Sequence, residues 1–210
     1  MKLYYSPFAC SLAAHIACRE AGLDVELVRV DLPTKRTAAG GDLFADNPMG
    51  QVPTLVLPDG RALTENVAIL SYLADRTAES ASPGEPEPSD RYELLRWLSF
   101  VSTEIHKNVL WAIYAPTSPD AVKEYARESA GRGLGVVSAR LESRDALLGG
   151  SFTVADAYLF WAVTLLPRAG VALHRFPALS RYHALHRSRP AVRAALAYEK
   201  EQHETPFAAA

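Results

Sequence analysis

Residues 53–64 read Pro53-Thr-Leu-Val-Leu57-Pro58-Asp59-Gly60-Arg61-Ala-Leu-Thr64. Two short apolar runs flank Pro-Asp-Gly. Proline presets φ, aspartate bonds its own backbone, and glycine accepts a positive φ, so the stretch predicts a β-hairpin. Val67, Ile69, Leu70 and Leu73 follow at helical spacing. Working back toward the N-terminus, Leu3-Tyr4-Tyr5 predicts a short strand stopped by Ser6-Pro7. Residues 10–21 predict a helix with Gly22 at its end. Residues 25–30 alternate Val, Leu and Val against Glu and Arg, which is strand spacing. The order β-α-β, then β-β-α, predicts a small mixed sheet with helices packed on it.

Beyond the hairpin and its helix, residues 81–88 read Ala-Ser-Pro-Gly-Glu-Pro-Glu-Pro. Three prolines and a glycine in eight residues predict a linker, because neither helix nor sheet tolerates them. The predicted organisation is an α/β domain over 1–80, the linker over 81–88, and an all-helical domain over 89–210. In the helical part, Leu94, Leu98, Val101, Ile105 and the neighbouring Trp97 form an i, i+4, i+7 stripe. Pro116 and Pro119 end that helix, and residues 120–148 predict a second long one. Thr153-Val-Ala-Asp156 is a capping box that opens an apolar, buried helix over 154–166. Two shorter helices follow near 178–187 and 190–202.

The 210 residues carry 22 Lys and Arg against 24 Asp and Glu, a formal charge of −2. Split at residue 80, the parts carry −3 and +1. Neither is a basic module, so no general attraction to nucleic acid or to an acidic membrane is expected. No apolar run approaches the ~20 residues of a membrane helix. The N-terminal run is broken by Ser11 and His15 and followed by Arg19-Glu20, which is not a leader pattern, so a cytoplasmic protein is expected.

The two cysteines are Cys10 and Cys18. On one helix they lie about 12 Å apart along the axis, too far for a disulfide. Two thiols also make no Cys-only zinc site, and His183 and His186 lack a nearby third ligand in sequence, so no metal is expected. Cys10 follows a strand and a proline turn and stands at a helix start, where partial positive charge stabilises a thiolate. Ala13 stands where a CxxC motif needs its second Cys, so this is a monothiol site that can form but not internally resolve a mixed disulfide. Buried packing is the other reading of this residue, and the more natural one for Cys18. Pro53 opens a strand where a lost donor is tolerated, and its bond to Val52 is a candidate for cis. Thr64-Glu65-Asn66 caps a helix or binds an amino-acid headgroup. Ser99, Thr103 and His106, at i, i+4 and i+7, fall on one face of the first long helix, with Lys107 next to them. That face is either a cleft wall or plain solvent-exposed surface.

Several segments in order resemble a cytosolic glutathione S-transferase of the bacterial beta class. They are Met1-Lys-Leu-Tyr-Tyr-Ser-Pro, Ala9-Cys10-Ser11-Leu12, Asn47-Pro-x-Gly-Gln-Val-Pro-x-Leu, Thr64-Glu65-x-Val-Ala-Ile, Glu104-x-His106-Lys107 and Phe152-Thr153-Val-Ala-Asp156-Ala-Tyr. The resemblance spans essentially the whole chain. It implies a thioredoxin-like glutathione-binding domain followed by an all-α domain that supplies the pocket for a small hydrophobic electrophile, in a cytoplasmic homodimer serving detoxification.

By the same resemblance, Cys10 faces the glutathione sulfur and can hold it as a mixed disulfide. Val52, before a cis Pro53, pairs its backbone with the cysteinyl unit. Glu65 and Asn66 hold the γ-glutamyl headgroup, Lys35 reaches the glycine carboxylate, and Tyr5 lies near the site. Thr103 and His106 line it, Ser99 approaches from a partner subunit, and His106 and Lys107 add positive charge. Glutathione is the co-substrate, and no metal is implied. Three positions depart from the family's pattern: Phe8 stands where Gly is common, Asn66 where Ser or Gly is usual, and Ser99 where Asn is common. The alternatives are a glutathione-dependent thiol–disulfide or reductive enzyme using Cys10, and a non-catalytic dimeric binding module.

Overall fold

The computed structural model describes residues 1–80 and 88–207. Residues 81–87 of the expected linker lie outside the described residues. Pro88 opens a helix, a position where its missing N–H costs nothing.

Four strands form one sheet: β1 (Lys2–Tyr5), β2 (Glu26–Arg29), β3 (Thr54–Val56) and β4 (Ala62–Thr64), in the order β2-β1-β3-β4. β1 pairs parallel with β2, placing Leu3 opposite Leu27, and antiparallel with β3, placing Leu3 opposite Leu55. β3 and β4 form the expected hairpin. Helix α1 (Ser11–Glu20) crosses from β1 to β2, and α2 (Asn66–Ser80) follows β4. Leu3, Leu12, Ile16, Leu55, Ile69, Leu70 and Leu73 are buried to within 1% of their surface. Each contributes about 1.5–3 kcal/mol of transfer free energy.

The remaining elements are helical. α3 (Pro88–Phe100) continues as a π-wound segment over Val101–Trp111 and a last turn, α4 (Ala112–Tyr114). Then come α5 (Asp120–Leu141), α6 (Val154–Leu165), α7 (Pro177–Arg187) and α8 (Pro190–Glu204). α6 is buried at every position from Ala155 to Val163, as its apolar circumference requires. α5 stops at Leu141, short of the expected residue 148. The next segment is captured elsewhere: Arg140 donates to the Leu147 carbonyl at 2.7 Å, and Asp156 accepts the Leu147 N–H at 2.8 Å. Gly133 does not break α5. A Cβ there would lie 3.4 Å from Glu104 Cβ, so glycine permits close approach to the π-wound segment.

The chain divides into two compact units. One comprises Met1–Pro83 with Arg189–Ala210, and the other Gly84–Ser188. The sequence reading put the last helix with the helical domain, whereas α8 packs against α1 in the first unit. Among the described residues, no helix is long and apolar enough to cross a membrane.

Candidate functional site

Ser6-Pro-Phe-Ala9 carry the chain from β1 into α1. The buried Ser11 hydroxyl closes this turn, accepting from Ser6 N at 3.2 Å and donating to Ser6 O at 3.3 Å. Cys10 therefore stands at the N-cap of α1, partly exposed, at the positive end of the helix dipole. Its Sγ donates to the Val52 carbonyl at 3.1 Å. Cys18 is buried, and burial pushes its thiol up to about 12, so it is the inert one of the two.

Val52 precedes a cis peptide bond to Pro53. Its loop is braced by Asn47, whose Nδ2 donates to Gln51 O at 3.0 Å and to Thr54 Oγ1 at 2.9 Å, while its Oδ1 accepts Met49 N at 3.0 Å. Gly50 has φ +58°, and a Cβ there would lie 2.7 Å from the Phe44 ring and 3.3 Å from Lys35 Cδ. Glycine thus lets the Lys35 stem and Phe44 lie against the loop.

Three non-glycine residues among those described take a left-handed backbone: Phe8 (φ 59°), Lys35 (φ 62°) and Glu65 (φ 67°). Such a conformation costs on the order of 1–3 kcal/mol and persists where neighbours over-determine it, commonly at ligand sites. Glu65 is exposed and its carbonyl anchors α2 through Ile69 N at 2.9 Å. Asn66 is buried; its Nδ2 donates to Cys10 O at 3.3 Å, and its Oδ1 is buried without a hydrogen-bond partner. The first unit therefore joins Cys10, Val52 and Asn66 by direct hydrogen bonds.

Tyr5 does not belong with them. It is fully buried, its ring 6.2 Å from that of His15 and 6.1 Å from that of Tyr198. Burial, reinforced by Tyr198 and Glu199, pushes its phenol far above the usual range, so it supplies no phenolate. A strand alternates its faces, and Tyr5 falls on the face that α1 and α8 cover.

In the second unit, Ser99 and Thr103 are exposed, and the Thr103 hydroxyl donates to Ser99 O at 3.1 Å. His106 is turned inward instead. Its Nδ1 lies 2.7 Å from Tyr158 Oη, and its ring meets that of Trp161 edge-on at 4.6 Å. The expected single face assumed α-helical winding. From Val101 onward i→i+5 bonding puts more residues in each turn and rotates His106 off that face. His106 is also not the expected positive charge. Burial, helped by the adjacent Lys107 charge, pulls its imidazole down to about 4, so it is neutral at pH 7. The cation here is Lys107, whose exposed side chain places Nζ 4.8 Å from the Trp111 ring centroid.

Two family models match the chain: the glutathione S-transferase N-terminal domain over residues 5–76 and its C-terminal domain over residues 97–190. The chain belongs to the glutathione S-transferase family. Glutathione S-transferase GstA of Escherichia coli O157:H7 is 39% identical over 95% of this chain and 98% of its own length. A sphingomonad glutathione S-transferase solved in complex with glutathione is 44% identical, with a TM-score of 0.88 over 95% of this chain and 99% of that one. The beta-class enzyme of Sphingomonas chungbukensis is 40% identical, with a TM-score of 0.88 over 95% and 98%.

This glutathione S-transferase carries two supports, the first hidden in its sequence and the second only partly legible there. The first is Glu199 on α8, wholly buried. It accepts Phe8 N at 2.7 Å and faces His15 Nδ1 at 2.9 Å, while Arg19 Nε donates to His15 Nε2 at 2.8 Å. The arginine bond makes Nε2 the acceptor, so Nδ1 carries the hydrogen given to Glu199. Burial raises the Glu199 carboxyl above the usual range, opposed by these donors. Phe8, the departure from the family's glycine, is thereby held in its strained conformation two residues before Cys10. In sequence, Glu199 reads as one more surface acid on a polar helix.

The second support is the α6 start. Thr153 and Asp156 form the expected capping box. Asp156 accepts Thr153 N at 2.9 Å and Thr153 Oγ1 at 2.8 Å through one oxygen, and Leu147 N through the other. Tyr158 and Trp161 lie one and two turns further along, and an all-round apolar helix gives no periodic signal to single them out.

Proposed function

We propose that this transferase conjugates reduced glutathione to small hydrophobic electrophiles, and that Cys10 can hold glutathione as a mixed disulfide. The carrying observation is the left-handed backbone at Phe8, Lys35 and Glu65. These residues flank or coincide with the positions that the family resemblance gives to glutathione. The buried Asn66 Oδ1, lacking a partner, adds an acceptor suited to an ammonium or amide donor.

In this reading Val52 pairs its backbone with the cysteinyl unit of glutathione. Glu65 and Asn66 hold the γ-glutamyl ammonium, and Lys35 holds the glycine carboxylate. The α1 N-terminus lowers the cost of a thiolate, and binding places that nucleophile ready for an electrophile. The thiol proton leaves to solvent, the sulfur bonds to the electrophilic centre, and the leaving group departs with its electron pair. Thr103, Ser99, His106 and Lys107 are assigned to the same ligand by the resemblance, with His106 acting as a neutral group. Tyr5 has no part in it.

A homodimer belongs to the same reading. Phe44 and Met49 in the first unit are 49% and 69% exposed, the kind of apolar surface a second copy would cover.

The accessible Cys10 thiol favours one further reading, a thiol–disulfide enzyme. With oxidised glutathione, the Cys10 thiolate attacks one sulfur of the disulfide. The Cys10–S–S–glutathione bond forms as glutathione thiolate leaves. The first test is intact mass after incubation with oxidised glutathione, for the parent and for Cys10→Ala. One glutathionyl adduct on the parent and none on the variant is expected. No adduct on either would remove Cys10 from a glutathione site. Conjugating activity should largely survive in Cys10→Ala while reductase activity vanishes, and equal loss of both would reverse the order of the two readings.

A further inference from the structure

His106 is held from two sides by one helix. Tyr158 Oη lies 2.7 Å from its Nδ1, and the Trp161 ring stands across it at 76°, with centroids 4.6 Å apart. Tyr158 is 1% exposed, and its ring stacks with that of Trp161 at 5.7 Å, so neither ring is free to turn alone. The two residues sit at i and i+3 on α6, whose first turn the Thr153–Asp156 box fixes. The chain from cap to helix start to aromatic pair to imidazole lies wholly within one unit.

We infer that Tyr158 is a positioning residue: its hydroxyl donates to His106 Nδ1 and so fixes the imidazole as a hydrogen-bond donor at Nε2. A neutral imidazole has one donor and one acceptor, and the partner at one nitrogen decides the role of the other. The depressed titration of His106 agrees, since it removes the imidazolium as an alternative near neutral pH. The inference rests on the proposed function, in which His106 is a neutral group assigned to glutathione. An Nε2–H donor would favour thiolate over thiol without itself gaining or losing a proton. The proton released by the thiol goes to solvent. This assignment makes His106 neither a general base nor a cation.

The test begins with the parent protein and no ligand. The ¹⁵N shifts of the His106 ring at neutral pH should show a protonated Nε2 and an Nδ1 that accepts a hydrogen bond. A protonated Nδ1 would overturn the assignment whatever the enzyme does. In Tyr158→Phe, the loss of a donor that favours the neutral ring should raise the His106 titration midpoint. Turnover should fall about tenfold, the size of one lost hydrogen bond, while KM for glutathione stays within about twofold. In a His106→Gln background, Tyr158→Phe should be nearly silent. A similar loss of turnover in both backgrounds would make Tyr158 merely structural and sink the inference. Calorimetric titration of the parent with glutathione tests the underlying reading separately. No binding there, with the Nε2–H form observed, would remove the function and leave the hydrogen bond standing.

Discussion

At single residues, the left-handed backbone separates stability from binding. Glu65 at φ 67° gains nothing structural from its exposed carboxylate, and glycine accepts that conformation without penalty. Glu65→Gly should therefore stabilise the protein by about 1 kcal/mol. It should also weaken glutathione binding by at least about tenfold, the scale of a lost charge-assisted hydrogen bond. Denaturant melts and calorimetry on one preparation give both numbers; a variant weakened in both would show that the carboxylate also braces α2.

His106 gives a pH prediction at the same scale. Its folded value, about 4, lies below the unfolded reference near 6.5. Between those values the unfolded chain binds a proton that the folded chain refuses. This contribution is intact above pH 6.5 and is lost as pH falls toward 4, by up to about 3 kcal/mol. His106→Gln should flatten the fall of unfolding free energy over that window. An unchanged slope would mean that the imidazole is solvated. The family resemblance implies a positive charge here, shared by His106 and Lys107. Only the α6 rings, fifty residues on, reverse that expectation.

At the scale of elements, legibility followed locality. The hairpin, the parallel β-α-β order and the α6 cap were all visible because each is set by residues within one turn or one strand pair. The end of α5 and the π-winding after Phe100 were not visible: the first rests on side-chain bonds from Arg140 and Asp156 to the Leu147 backbone, seven and nine residues apart, which helical periodicity does not register, and nothing in the local residue pattern signals the second. Asp156 also shows what a local motif conceals. Thr153→Ala should cost about 1 kcal/mol, as a lost N-cap does. Asp156→Ala should cost distinctly more. It also deprives the buried Leu147 N–H of its acceptor, and an orphaned buried donor is penalised by about 1–3 kcal/mol. Equal melting losses for the two variants would show that the box matters only as a cap.

Across the whole chain, the first unit is assembled from two ends. Its sheet and α1 come from the first 83 residues, and its closing helix from the last 22. The joint is the buried Glu199, which meets Phe8 and His15 across 191 and 184 residues of sequence, with an outer clamp where Arg189 grips Glu20 through two bonds of 2.7 Å. Glu199 is the acceptor for two donors, Phe8 N–H and the His15 Nδ1–H, and depriving such a donor of its acceptor inside the fold costs about 1–3 kcal/mol. Glu199→Ala should show that loss, and Glu199→Gln, which keeps one oxygen, a smaller one. The kinetics should be lopsided. Contacts closing so long a loop are costly to form early, so they belong after the folding transition state. Their loss then falls on the unfolding rate, which should rise about a hundredfold in Glu199→Ala while the folding rate barely changes. Phe8→Gly provides the internal control. Once the strained residue is glycine, the loop needs less restraint, so Glu199→Ala should cost less in that background, a coupling expected between groups in direct contact. Strict additivity would mean that Glu199 braces only His15, and that the Cys10 loop keeps its shape without it.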